Sequence, residues 1–89
     1  MKAIVTVIGQ DRVGITAAIC NCLASFNVNI LDISQTILGD AFTMVMSVDL
    51  EKATAPIGEL REAFQRLGEE MHLSIRVQRE EIFDAMHTI

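Results

Sequence analysis

Residues 41–50, AFTMVMSVDL, alternate strictly enough to limit what the chain can become. Phe42, Met44, Met46, Val48 and Leu50 fall on one side, while Thr43, Ser47 and Asp49 take the other with Val45 as the only apolar residue among them. Successive strand side chains point to opposite faces, so this segment is a strand with one face in a core. Its main chain needs a partner. Gly39-Asp40 supplies turn chemistry, and residues 28–38 supply a second β-rich run, so the pair predicts a hairpin in an antiparallel sheet.

The flanking segments extend the pattern. Lys2 to Ile8 is rich in Ile and Val, is apolar on both faces and ends at Gly9, which predicts a central strand. Ile15, Ala18, Ile19, Cys22, Leu23 and Phe26 then follow helical spacing, with Asn27 as a left-handed stop. Thr54 is the expected cap of a second helix with Pro56 in its first turn. Its buried stripe is Ile57, Leu60, Phe64, Leu67 and Met71, and His72 ends it. Leu73, Ile75 and Val77 alternate with polar residues as a fourth strand. The order predicts a ferredoxin-like βαββαβ sandwich of the α+β class, a four-stranded antiparallel sheet with two helices on one face.

Residues 1–78 are therefore expected to form one domain, and residues 79–89 a short helical tail. Ile82, Met86 and Ile89 lie at helical spacing beside Phe83, which predicts that the tail docks on apolar surface. The uncovered face of the sheet, where Ile4 and Ile8 emerge, is the expected acceptor.

A domain of 89 residues buries only roughly 60 to 65% of its unfolded surface, so a partner subunit would help it. Seven basic against twelve acidic residues leave a net charge of −5, which opposes binding to nucleic acid or to an anionic membrane. No apolar run approaches the ~18 residues a membrane span requires. Cys20 and Cys22 point to different faces of one helix, so they neither clasp a metal nor pair readily. Free cysteines place the chain in the cytoplasm. No cofactor or metal site is expected.

Function rests on the loop GQDRVGIT, residues 9–16, between the first strand and the first helix. As a phosphate loop it fails, because Ile15 stands where the lysine is needed and Asp11 adds a negative charge. An acylphosphatase-like phosphohydrolase has only Arg12 to hold an anion, with Asp11 beside it and no second cation near. A metal-transfer domain would need its cysteines in this loop, and an RNA-binding module would need exposed aromatic residues where this chain has no Trp or Tyr. His72 and His87 lie far apart and belong to no recognisable catalytic set, so no enzyme is expected.

The loop GQDRVGITAAI, together with NVNILDISQT at the start of the second strand, resembles the ACT domain, a small regulatory module that binds amino acids. With the ending QREEIFDAMH, the chain most resembles the stand-alone, single-domain ACT proteins of the glycine-cleavage-regulator-like kind. The resemblance implies a module that acts on a separate protein. It also implies ligand contacts from Asn29 and from the position of Asp11, where many members carry asparagine.

The residues themselves fit that reading. Unpaired N–H groups from Arg12 through Val13 and Gly14 to Ile15 would face a carboxylate at the positive end of the helix. Gly14 permits close approach, Asp11 could accept from an amino group, and Gly9 and Gln10 complete the rim. A plainer reading stays open: Asp11 caps the helix, Gly9 and Gly14 only permit the turn, and Arg12 is a solvated charge. Asn29 lies past the far end of the first helix, ~20 Å from the loop. A homodimer pairing its second strands antiparallel would bring one subunit's Asn29 to its partner's loop.

Overall fold

The period-2 and period-3.6 segments settle into the strands and helices they predict. The computed structural model describes residues 1–81. In chain order the elements are β1 (Lys2–Gln10), α1 (Ile15–Ser25), β2 (Asn29–Leu38), β3 (Ala41–Asp49), α2 (Ile57–Met71) and β4 (Leu73–Arg79). The sheet order is β2-β3-β1-β4 with every neighbouring pair antiparallel, so β1 is central and β2 and β4 are the edges. This is the ferredoxin-like sandwich. Glu80 and Glu81 are helical, and the expected docking of residues 82–89 lies outside the described residues.

One layer of side chains joins sheet and helices. Val5 and Val7 of β1 pair with Met46 and Met44 of β3 and with Val77 and Ile75 of β4, so these residues share one face. Against it pack Ile15, Ile19 and Leu23 of α1 and Leu60 and Phe64 of α2, all essentially inaccessible to solvent. Cys22 is half-buried between α1 and the rest of the molecule. Burial raises its thiol pKa above the ordinary value, and the Arg66 guanidinium partly offsets that effect.

The ladder has a parity that determines both edges. At one end of the β1–β3 pair the Leu50 N–H donates to the Met1 carbonyl, and at the other the Asp11 N–H donates to the Asp40 carbonyl, both at 2.7 Å. Antiparallel pairs alternate between bonded and non-bonded, so odd residues of β1 bond to β3 and even ones to β4. Hence Ser74, Arg76 and Gln78 turn their main-chain groups inward, while those of Leu73, Ile75 and Val77 point away from the sheet. By the same count Ile33, Gln35 and Ile37 point outward from β2, beyond a bulge at Leu31 that shifts the register between Ile30 and Asp32.

Two expectations change at the helix ends. Thr54 does not cap α2: Pro56 occupies the N-cap position in an extended conformation, and the Thr54 N–H donates to the Phe26 carbonyl at 2.9 Å, tying the loop to the end of α1. Pro56 thus ends the extended approach with its fixed φ and precedes the helix proper. At the other ends Asn27 (φ 57°) and His72 (φ 58°) adopt the left-handed conformation and stop α1 and α2 as their positions predict.

The reversal at His72 brings β4 tightly under α2. A Cβ at Gly68 would stand 2.5 Å from the Leu73 carbonyl oxygen, whereas one at Gly58 meets nothing within 4 Å. Alanine normally stabilises a helix relative to glycine by about 1 kcal/mol. Gly58→Ala is therefore expected to raise stability by up to about 1 kcal/mol, and Gly68→Ala to lower it by roughly 1–3 kcal/mol as the main chain is forced apart. Urea denaturation of the two variants checks the opposite signs.

Candidate functional site

The loop between β1 and α1 is built from the main chain outward. After the Asp11 N–H meets the Asp40 carbonyl, the chain turns through Arg12 and Val13 and enters α1 at Gly14, whose φ of 94° is left-handed. No side chain crowds Gly14, so its backbone conformation is what requires glycine. The Gly14 carbonyl accepts from the Ala18 N–H at 2.9 Å, the first helical bond. The N–H groups of Ile15, Thr16 and Ala17 precede any intrahelical acceptor, no side chain caps this end and no acidic residue lies in the first turn. The positive end of the helix is therefore left for an anion.

The expected site residues divide. Gln10, Asp11, Arg12, Val13 and Gly14 are exposed, with Val13 fully so. Ile15 offers only its backbone N–H, because its side chain is buried in the core at 1% exposure. Gly9 is turned away from the loop mouth: a Cβ there would strike the Leu73 side chain, so this glycine serves the packing of β1 on the α2–β4 junction. Asp11 does not cap α1, since Gly14 holds the N-cap position.

Arg12, although exposed, also makes a long-range contact. Its Nη1 donates to the Met71 carbonyl at 3.2 Å, across 59 residues of sequence. The last turn of α2 contains no basic residue of its own, so Arg12 supplies the cation that the carbonyl end of that helix favours. Gln10, Asp11 and Arg12 enclose a hollow of about 350 Å³ with Met71 and His72. Periodicity placed Met71 in the core and His72 at a helix end, and nothing in the sequence shows that this end meets the loop.

Asn29 lies at the opposite end of the sheet. It pairs with Asp49, which pairs with Lys2, whereas the loop begins after Gln10, paired with Ala41. Eight strand steps separate the two ends, about 27 Å at ~3.4 Å per residue. Within one chain Asn29 borders a separate hollow of about 580 Å³ shared with Asn27, Asp49, Glu51 and Lys52. The Asn27 Nδ2 donates to the Lys52 carbonyl at 2.9 Å, and the Glu51 N–H donates to Asp49 Oδ1 at 2.9 Å, which orders the wall of that hollow. Gln35, another residue the sequence did not single out, accepts from Thr16 Oγ1 at 3.3 Å and so links the β2 edge to the first turn of α1.

Both the sequence and the ferredoxin-like topology match a known family. The ACT-domain profile matches residues 2–78. The chain belongs to the ACT-domain family. A UPF0237 protein of Methanopyrus kandleri is 52% identical over 88 residues, covering 99% of this chain and 98% of the relative. An ACT domain protein from Streptococcus pneumoniae superposes with a TM-score of 0.81 at 38% identity, covering 93% of each chain. A putative glycine cleavage system transcriptional repressor shares the fold at a TM-score of 0.74 and 23% identity, over 86% of this chain and 44% of that one. The chain is thus a UPF0237-type ACT domain, and no helix among its described residues is long and apolar enough to cross a membrane.

The contact between Arg12 and Met71 is open to direct measurement. Arg12→Ala is expected to cost about 0.5–1 kcal/mol and to speed amide exchange at residues 11–14, with Arg12→Lys retaining part of both. Hydrogen exchange followed by NMR reads the effect. Unchanged protection in the alanine variant would show that the Met71 contact does not order the loop.

Proposed function

We propose that this ACT domain is a non-catalytic regulatory module that acts on a separate protein and binds an amino acid at the boundary between two subunits of a homodimer. The observation that carries the reading is the β2 edge. The main-chain groups of Ile33, Gln35 and Ile37 point outward without a strand beside them, and the side chains of Ile33 and Ile37 are 40% and 55% exposed on the face shared with the core. Such an edge is a hazard that pairing removes. A second copy running antiparallel about a two-fold axis near Gln35 continues the sheet and sets Ile33 of each chain opposite Ile37 of its mate.

The same operation addresses the separation described above. It carries Asn29 of one subunit toward the Gly39–Ala41 end of the other, where Asp11 is bonded to Asp40. The free N–H groups at the start of α1 then take the ligand carboxylate, Asp11 accepts from its ammonium group, and Asn29 of the mate closes the site with its amide. A small zwitterion suits both charges. The acylphosphatase-like alternative still has Arg12 as its one cation, and one N–H of that guanidinium is already directed to the Met71 carbonyl. The alternative of a purely structural interaction module without ligand draws on Asp11, which replaces the asparagine common at that position.

Two measurements test the proposal. Titrating the twenty amino acids against the protein should reveal at least one that raises the melting temperature, because ligand at a hundred times Kd adds about 2.7 kcal/mol to the folded form. Asn29→Ala should abolish that gain while leaving the unliganded melt within about 0.5 kcal/mol. If no amino acid shifts the melt, the interaction-module reading takes its place. In equilibrium sedimentation the protein should be a dimer at micromolar concentration, and Ile37→Lys, which sets a charge in the shared face, should shift it to monomer.

A further inference from the structure

A groove of about 800 Å³, larger than the hollows at the loop and at Asn29, runs between α2 and β4 at the other edge of the sheet. Its floor includes Phe64, Leu73, Ile75 and Val77, and its rim carries two guanidinium groups, Arg61 and Arg76, against the single carboxylate of Glu69. That local balance is opposite in sign to the chain's net charge of −5. The parity of the ladder turns the main-chain groups of Leu73, Ile75 and Val77 away from β1, and the Leu73 carbonyl is closed off by Gly68 of α2. At Val77 the carbonyl is already taken, by Arg61 Nε at 3.0 Å, which marks one end of the open stretch.

We propose that this groove accepts an extended segment of a separate protein, alternating apolar and acidic residues, as an added strand on β4. Main-chain bonds to Ile75, between the covered carbonyls of Leu73 and Val77, would supply affinity, and alternate side chains would supply the choice of partner. On one side of the added strand, apolar residues meet the groove floor. On the other, carboxylates meet Arg76, which lies on the open face of the sheet with Ser74 and Gln78. The β2 edge does not suit the same segment, since residues 29–38 contain Asp32 and no cation. The groove is also joined to the loop: Arg12 holds the Met71 carbonyl, and Gly9 packs on Leu73, so the α2–β4 junction is a wall of both. Only this coupling rests on the amino-acid reading, and the groove itself does not.

The test uses the full-length protein without added amino acid and a capped hexapeptide of alternating valine and glutamate. Nitrogen-15 NMR titration should move the Ile75 amide and slow its exchange with solvent. The same peptide with lysine for glutamate should bind about tenfold more weakly, as should the glutamate peptide to Arg76→Glu, with Arg76→Gln intermediate. Equal binding of the two peptides, shifts confined to Ile33, Gln35 and Ile37, or no shift at about 1 mM peptide would each overturn the proposal. Failure here leaves the amino-acid titration untouched, and failure of that titration leaves the peptide result standing.

Discussion

The β1–β3 ladder organises this domain. Its two end bonds, Met1 carbonyl to Leu50 and Asp11 to the Asp40 carbonyl, set which residues of the central strands bond to which neighbour. Because strand geometry repeats every two residues, that one choice carries through the whole sheet. It sends Val5, Val7, Met44 and Met46 under the helices, and it decides which main-chain groups β2 and β4 present at the edges. A slip of one residue would turn the core face of the slipped strand outward.

The two edges are treated differently. β2 is long, carries half-exposed isoleucines on the core face and has only a bulge at Leu31 to interrupt it. β4 is shorter, stands beside a cationic rim and has one carbonyl covered by Arg61. Edges with unlike chemistry suit unlike neighbours, a second copy at one and a differently charged segment at the other. Between them lies the α1 N-terminus, whose free N–H groups and absent first-turn acid leave a local positive field in an acidic chain.

Much of the fold was legible because burial leaves a periodic trace. The alternation of residues 41–50 and the stripe from Ile57 to Met71 each identify an element and its inner face. The left-handed stop at Asn27 and the end of α2 at His72 were legible from their positions after apolar stripes, while the left-handed conformation of His72 was not. Thr54 misled because a good capping side chain two residues before a proline competes with the proline itself, and the cap position went to Pro56. In the loop, residue types named the candidates without revealing their directions. Gly9 turned out to serve packing against Leu73, Ile15 gave its side chain to the core, and the exposed Arg12 reached the end of α2.

What the sequence determined by itself is local: periods of two and 3.6, turn residues, a charge balance, and a loop with a left-handed glycine before a helix. Those features follow from interactions among residues a few positions apart, so they can be read in order along the chain. Only the tertiary structure decided that the loop faces Met71 and His72, that Asn29 lies at the far end of the sheet, and that β4 borders a groove. These depend on ladder register and on the helix reversal at His72, and the register joins residues as far apart as Ala3 and Arg79. No local periodicity encodes such a meeting, because it arises when the chain folds back and the strands align.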